Sequence, residues 1–183
     1  HSQARIGHLD LQLTERRLLL GFTHYQHHTT PFTDDEWAQV ADAIDCLAAQ
    51  AQKEGLHLSA DNGQTPLSNH QRIERVWLVE RRNGPAIMLN GPGDEAHETF
   101  CLFKNGAPNI DGEVTDGFEF CKTAQKPYDT FVVAALTWVE SHFPGKLNVS
   151  SDGDANDWQA GLEFARRAFP DETLEMPPGV GRR

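Results

Sequence analysis

Three groups of side chains in this sequence have types and spacing that could do chemistry. His24, His27 and His28 form an H-x-x-H-H cluster, with His8 a candidate neighbour across a strand pair. Imidazoles suit zinc, copper or nickel, and a site needs three or four ligands that converge with their second nitrogens held. The spacing matches neither H-E-x-x-H nor H-x-x-E-H, so no metalloprotease geometry is implied, and a solvated polar loop is the simpler account. Zinc is the one metal this cluster puts forward, and no other cofactor is expected.

The second group is Cys121-Lys122-Thr123 followed by Lys126-Pro127-Tyr128-Asp129, where a strand pattern gives way to a helix pattern. Free backbone N–H groups at a helix start, two lysines and a hydroxyl make an anion site for phosphate, carboxylate or nucleotide. Its candidate ligand-binding residues are Lys122, Thr123, Lys126, Tyr128 and Asp129. His97, Glu98 and Thr99 open the preceding strand, and antiparallel pairing would bring His97 to Cys121 as base and nucleophile. Against this, Cys121 stands near Phe118, Phe120, Phe100 and Leu102, where cysteine is usually a small inert hydrophobe. Two lysines at the positive end of a helix dipole also need an anionic counterpart, either bound or internal, and Asp129, Asp152 and Glu98 are the internal candidates.

Asp152, Asp154, Asn156 and Glu163 stand at the first, third, fifth and twelfth places of a calcium-loop pattern. Its sixth place needs glycine for a sharp turn and holds Asp157 instead, while Trp158, Leu162 and Ala165 require helix there. Asp154 therefore reads as an N-cap with Asp157 in the first turn. Ser151, Asp152, Asp154 and Asp157 then form an acidic loop, a candidate interaction surface.

The elements that must position these residues follow from periodicity. Alternation over 8–13 and an apolar stretch over 17–25 predict two strands. Thr33 with Glu36 is a capping box, followed by Trp37, Val40, Ala41, Ile44, Leu47, Ala48 and Ala51 at helical spacing, with Gly55 as terminator. Residues 59–69 read as a loop. Strand-rich segments at 73–81, 86–90, 97–104 and 113–123 are joined by short glycine-punctuated turns, which implies antiparallel neighbours. A mostly apolar helix over 128–143 reads as central and deeply packed, 147–150 as a short strand, and Trp158 to Phe169 as a third helix stopped by Pro170. The order predicts an α+β fold: a single domain over 4–170, with about three helices packed on a largely antiparallel sheet. Residues 171–183, rich in Pro and Gly, read as a mobile C-terminal tail, and 1–3 as a tag remnant.

At 183 residues, with 38% hydrophobic and 23% charged side chains, the chain can bury a core without staples. Sixteen Lys and Arg against 27 Asp and Glu give a formal charge of -11, which argues against an extended nucleic-acid face. No apolar run approaches the roughly 20 residues that span a bilayer, so no membrane partner is expected. Three cysteines without paired spacing fit a reducing, cytoplasmic setting. The leading expectation is a non-enzymatic acidic interaction protein of inhibitor, immunity, chaperone or adaptor type, binding a protein with a basic surface. The alternative is a small ligand-binding or hydrolytic enzyme with an anion site around residues 121–129.

Overall fold

The Thr33 hydroxyl accepts the Glu36 N–H at 3.2 Å and the Glu36 carboxylate accepts the Thr33 N–H at 2.8 Å, closing the capping box that starts helix α1 (Asp34–Glu54). Gly55, at φ 72°, ends the helix in the left-handed region and donates back to Ala51 and Gln52. The computed structural model describes residues 22–60, 65–67, 75, 77–108 and 117–181. The strand expected over 8–13, the tag-like residues 1–3 and His8 lie outside them.

Two antiparallel sheets carry the described strands. The first has the order β7-β1-β8, built from β1 (Thr23–His28), β7 (Phe118–Lys122) and β8 (Leu147–Ser151). The second has the order β3-β2-β5-β4, with β6 on β5, from β2 (Ser59–Ala60), β3 (Thr65–Pro66), β4 (Leu78–Arg81), β5 (Gly84–Asn90) and β6 (Phe100–Phe103). One α+β domain with three described helices therefore stands as expected, but its strands divide between two sheets. Part of the region read as a loop over 59–69 forms the β2–β3 pair. The Gln26 side chain crosses between the sheets and donates to the Cys101 carbonyl at 2.5 Å.

Helix α2 (Asp129–His142) is central: every residue from Phe131 to Glu140 is buried. Such an all-round apolar surface demands cover on every side. Helix α3 (Ala155–Ala168) packs along it, started by Asp154 and Asp157 in a second capping box. Buried Glu140 accepts the backbone N–H groups of Val149 and Gly145, which locks α2 to β8 although burial raises its pKa. Arg167 grips the Glu54 carboxylate at 2.6 and 2.9 Å, joining the ends of α3 and α1.

Segment 171–181, read as a loose tail from its Pro and Gly content, packs onto the domain instead. Leu174 is buried in the core, Val180 is also buried, and Arg166 donates to the Leu174 carbonyl at 2.9 Å. Anchoring by two apolar side chains outweighs the conformational freedom of the surrounding residues.

The α2–α3 contact is close because Gly161 faces α2. A Cβ there would lie 2.3 and 2.4 Å from Val133 Cγ1 and Cβ and 3.1 Å from the Thr130 carbonyl. Alanine normally gains about 1 kcal/mol over glycine within a helix, whereas overpacking against a branched side chain costs about 1–3 kcal/mol. Gly161→Ala is expected to lower stability by about 1–2 kcal/mol in urea denaturation, and a gain would show that the helices separate freely.

Candidate functional site

Strand alternation separates the three imidazoles of the proposed metal cluster. His24 and His28 point inward and are buried, while His27 points outward and is exposed. Among the described residues no three His, Cys, Asp or Glu side chains group to hold a metal ion. His28 meets the Phe32 ring edge-on at 5.7 Å, and neither of its ring nitrogens has a hydrogen-bond partner. Burial, helped by the charge of His27, pushes its pKa down from 6.5 to about 4.

His24 is held quite differently. Its Nε2 lies 2.7 Å from Asp129 Oδ1, and its Nδ1 lies 3.1 Å from Ser151 Oγ. Phe22 and Trp158 flank the ring, each at 5.1 Å and nearly perpendicular to it. Asp129 also accepts the Thr123 hydroxyl at 2.5 Å. The antiparallel register sets His24 opposite Cys121 on β7 and Ser151 on β8, so the start of β1 sits between the ends of its two neighbours. A candidate metal ligand, two candidate anion-binding residues and a residue of the candidate interaction surface thus meet in one network.

The remaining groups of the 121–129 segment engage the 91–99 loop. Asn90 shapes that loop: its Oδ1 accepts the Gly91 and His97 N–H groups, and its Nδ2 donates to the His97 carbonyl and Thr99 Oγ1. His97 Nδ1 lies 2.7 Å from the Lys122 carbonyl, and the Lys122 N–H donates to Glu98 Oε2 at 2.7 Å. Tyr128 Oη donates to the Glu98 carbonyl at 2.6 Å, and the Cys121 thiol approaches the same carbonyl at 3.5 Å. The Lys126 ammonium donates to the Asp94 carbonyl at 2.9 Å.

The strand pairing expected to bring His97 to Cys121 does not form, since β6 pairs with β5 and β7 with β1; the 91–99 loop instead sets the His97 ring on the Lys122 carbonyl, and no hydrogen bond joins it to Cys121. Burial pushes the Cys121 thiol and the Tyr128 phenol well above their ordinary pKa values, opposite to what a reactive thiolate needs. Asp129 takes the Thr123 hydroxyl and His24, not the lysines for which it was an internal counterpart candidate, and the Lys126 ammonium uses a backbone carbonyl.

The acidic loop is similarly occupied. Asp154 Oδ1 accepts the Asn156 and Asp157 N–H groups at 2.9 and 3.2 Å, and Asp157 accepts the Asp154 N–H at 2.9 Å. Asp152 reaches the Tyr25 hydroxyl at 3.3 Å, and Ser151 turns inward to His24. Gly153 is confined here, since a Cβ would lie 2.4 Å from the Phe22 ring.

Sequence reasoning missed the outer face of the first sheet. Phe118 and Phe120, placed beside Cys121 as core, are each 47% exposed, the two exposed large hydrophobics among the described residues. Tyr25 stacks on Phe118 with ring centroids 6.2 Å apart, and Phe118 lies 6.2 Å from Phe120. Period two held the signal: residues 118 and 120 must face away from 121. Exposed His27, Asn148 and Ser150 share this face by register.

No protein-family model, curated protein or solved structure matches the chain.

Two predictions concern this sheet, one at each end of β1. Ala124 and Gln125 both have positive φ, 50° and 54°, in a turn closed by the Lys126 N–H to the Thr123 carbonyl at 3.0 Å. Left-handed backbone costs a side chain about 1–2 kcal/mol, and Asn-Gly is the pair that relieves it. Ala124→Asn with Gln125→Gly is expected to stabilise by about 1 kcal/mol in chemical denaturation, and a loss would show that the native side chains support the turn. The second concerns His28. The unfolded state binds a proton below about pH 6.5 and the folded state resists it to about pH 4, so stability falls as pH drops through that window. The loss amounts to about 3 kcal/mol at full protonation. His28→Phe should flatten this part of the stability–pH curve; an unchanged slope would locate the sensitivity elsewhere.

Proposed function

We propose that the protein is an acidic interaction protein whose docking face is the outer side of the β7-β1-β8 sheet, centred on Tyr25, Phe118 and Phe120. The observation that carries this reading is the pair of phenylalanines, each 47% exposed and packed side by side on the outer face of the sheet. A contiguous exposed aromatic group is costly in water and is the kind of surface that protein interfaces bury at their centres. Asp152, hydrogen-bonded to Tyr25, lies at one end of the face, and the whole chain carries -11. A protein with an apolar centre ringed by basic groups fits such a surface, with charge steering the approach.

The docking face therefore moves from the acidic loop to the neighbouring sheet surface. The alternative ligand site at 121–129 loses support because its thiol, hydroxyls, ammonium and carboxylate already engage one another or the 91–99 loop. Among the described residues no helix is long and apolar enough to cross a membrane. The odd count of three cysteines, without paired spacing, keeps a cytoplasmic setting as part of the proposal.

The test compares the wild-type chain with Phe118→Ser, Phe120→Ser as baits in native lysate, after circular dichroism shows that both are folded. A stoichiometric partner should be retained by the wild type, weakened by added salt, and reduced at least about 10-fold by the double variant, since buried aromatic anchors are each worth about 2 kcal/mol or more. Equal recovery by both baits overturns the aromatic docking face. Recovery of the chain itself as a dimer would overturn the heterologous partner.

A further inference from the structure

We infer that Ser151 is an activated nucleophile, with His24 as its base and Asp129 holding the base, and that it accepts an acyl group from a neutral or cationic carboxylic ester. The three side chains stand in one line of hydrogen bonds: Ser151 Oγ at 3.1 Å from His24 Nδ1, and His24 Nε2 at 2.7 Å from Asp129 Oδ1. An ionised carboxylate can only accept, so Nε2 carries the ring proton. In the neutral imidazole Nδ1 then presents its lone pair to the Ser151 hydroxyl, the tautomer a general base requires. The Ser151 proton has a second acceptor within reach, the Thr23 carbonyl at 3.3 Å, so the imidazole is the nearer of the two.

Neighbouring groups fix each member. Thr123 donates to Asp129 at 2.5 Å, and Phe22 and Trp158 flank the imidazole edge-on. The Gly153 N–H donates to Ser151 Oγ at 3.0 Å, a bond that strengthens as the oxygen gains negative charge. Exposure is graded in the useful direction: Ser151 is partly exposed at the end of β8, while His24 is 2% exposed and shielded from bulk water. Asp152 follows Ser151 directly, which disfavours an anionic acyl group.

In the reaction, Ser151 Oγ bonds to the ester carbonyl carbon and its proton passes to Nδ1. The carbon–alkoxy bond then breaks and the departing oxygen takes that proton, leaving an alcohol and an acyl-serine. Water adds to the acyl carbon, giving its proton to Nδ1. The Oγ–acyl bond breaks, Oγ recovers the proton, and the carboxylic acid leaves.

The full chain is treated with a fluorophosphonate probe, which phosphonylates activated serines, and the labelled residue is located by tandem mass spectrometry. Labelling at Ser151, absent from Ser151→Ala, is expected. Asp129→Asn, an isosteric change read with circular dichroism to establish folding, should slow it about 100-fold or more. Because His24→Gln could unfold the core, p-nitrophenyl acetate with the wild type provides the independent readout: an acyl group should be found on Ser151. Failure of both reagents to modify Ser151 in the folded wild-type chain overturns the assignment, as does labelling that a folded Asp129→Asn variant leaves unchanged.

Discussion

Much of this molecule depends on one buried imidazole that is hydrogen-bonded at both ends. His24 lies on β1, Asp129 opens α2 and Ser151 closes β8, so a single side chain ties a strand to a helix start and to a strand end. At 2% exposure an unmet polar group is costly, and both nitrogens of His24 are met. His28, four residues along the same face, shows the other solution: it has no partner, and the fold keeps it neutral. One strand thus holds a histidine that organises its surroundings and another that its surroundings merely enclose.

The side chains that suggested metal binding, anion binding and thiol chemistry serve mainly to join segments. Tyr128, Lys126 and His97 bind backbone carbonyls where the 91–99 loop meets the 122–128 segment, and Asp129 supplies the negative charge that the helix start favours. What they leave for the surroundings is the other side of the sheet, where two phenylalanines and a tyrosine face outward. The polar inner network and the aromatic outer face are two sides of the same three strands, separated by one residue of register.

The helices were legible because their signals are local. Thr33 with Glu36, Gly55, Asp154 with Asp157 and the stop at Pro170 each lie within a few residues of the boundary they set. Apart from the β2–β3 pair, hidden in a segment read as a loop, the described strands were legible as segments, but their division between two sheets was not, because partner choice depends on packing against α2 and on links such as Gln26 to Cys101. The turn at Ala124 and Gln125 carries none of the glycine or asparagine that usually marks left-handed backbone. The network of His24, Asp129 and Ser151 joins residues 105 and 127 positions apart, a distance at which spacing holds no information. Phe118 and Phe120 differ from these cases: strict alternation with Cys121 already placed them on the outer face.

That same long separation bears on how the chain is made. The partners of β1 are β7 and β8, so after Thr23–His28 has been synthesised, its ring partners at Asp129 and Ser151 are 105 and 127 residues away along the chain. At about 5–20 residues per second, the strand waits roughly 5–25 s on the ribosome before either arrives. Helix α1 and the β4–β5 hairpin can form earlier from local contacts, while the first sheet closes last and at the highest loop-closure cost. Among the described elements β1 is the first to be made, and the partners it waits for are among the farthest along the chain.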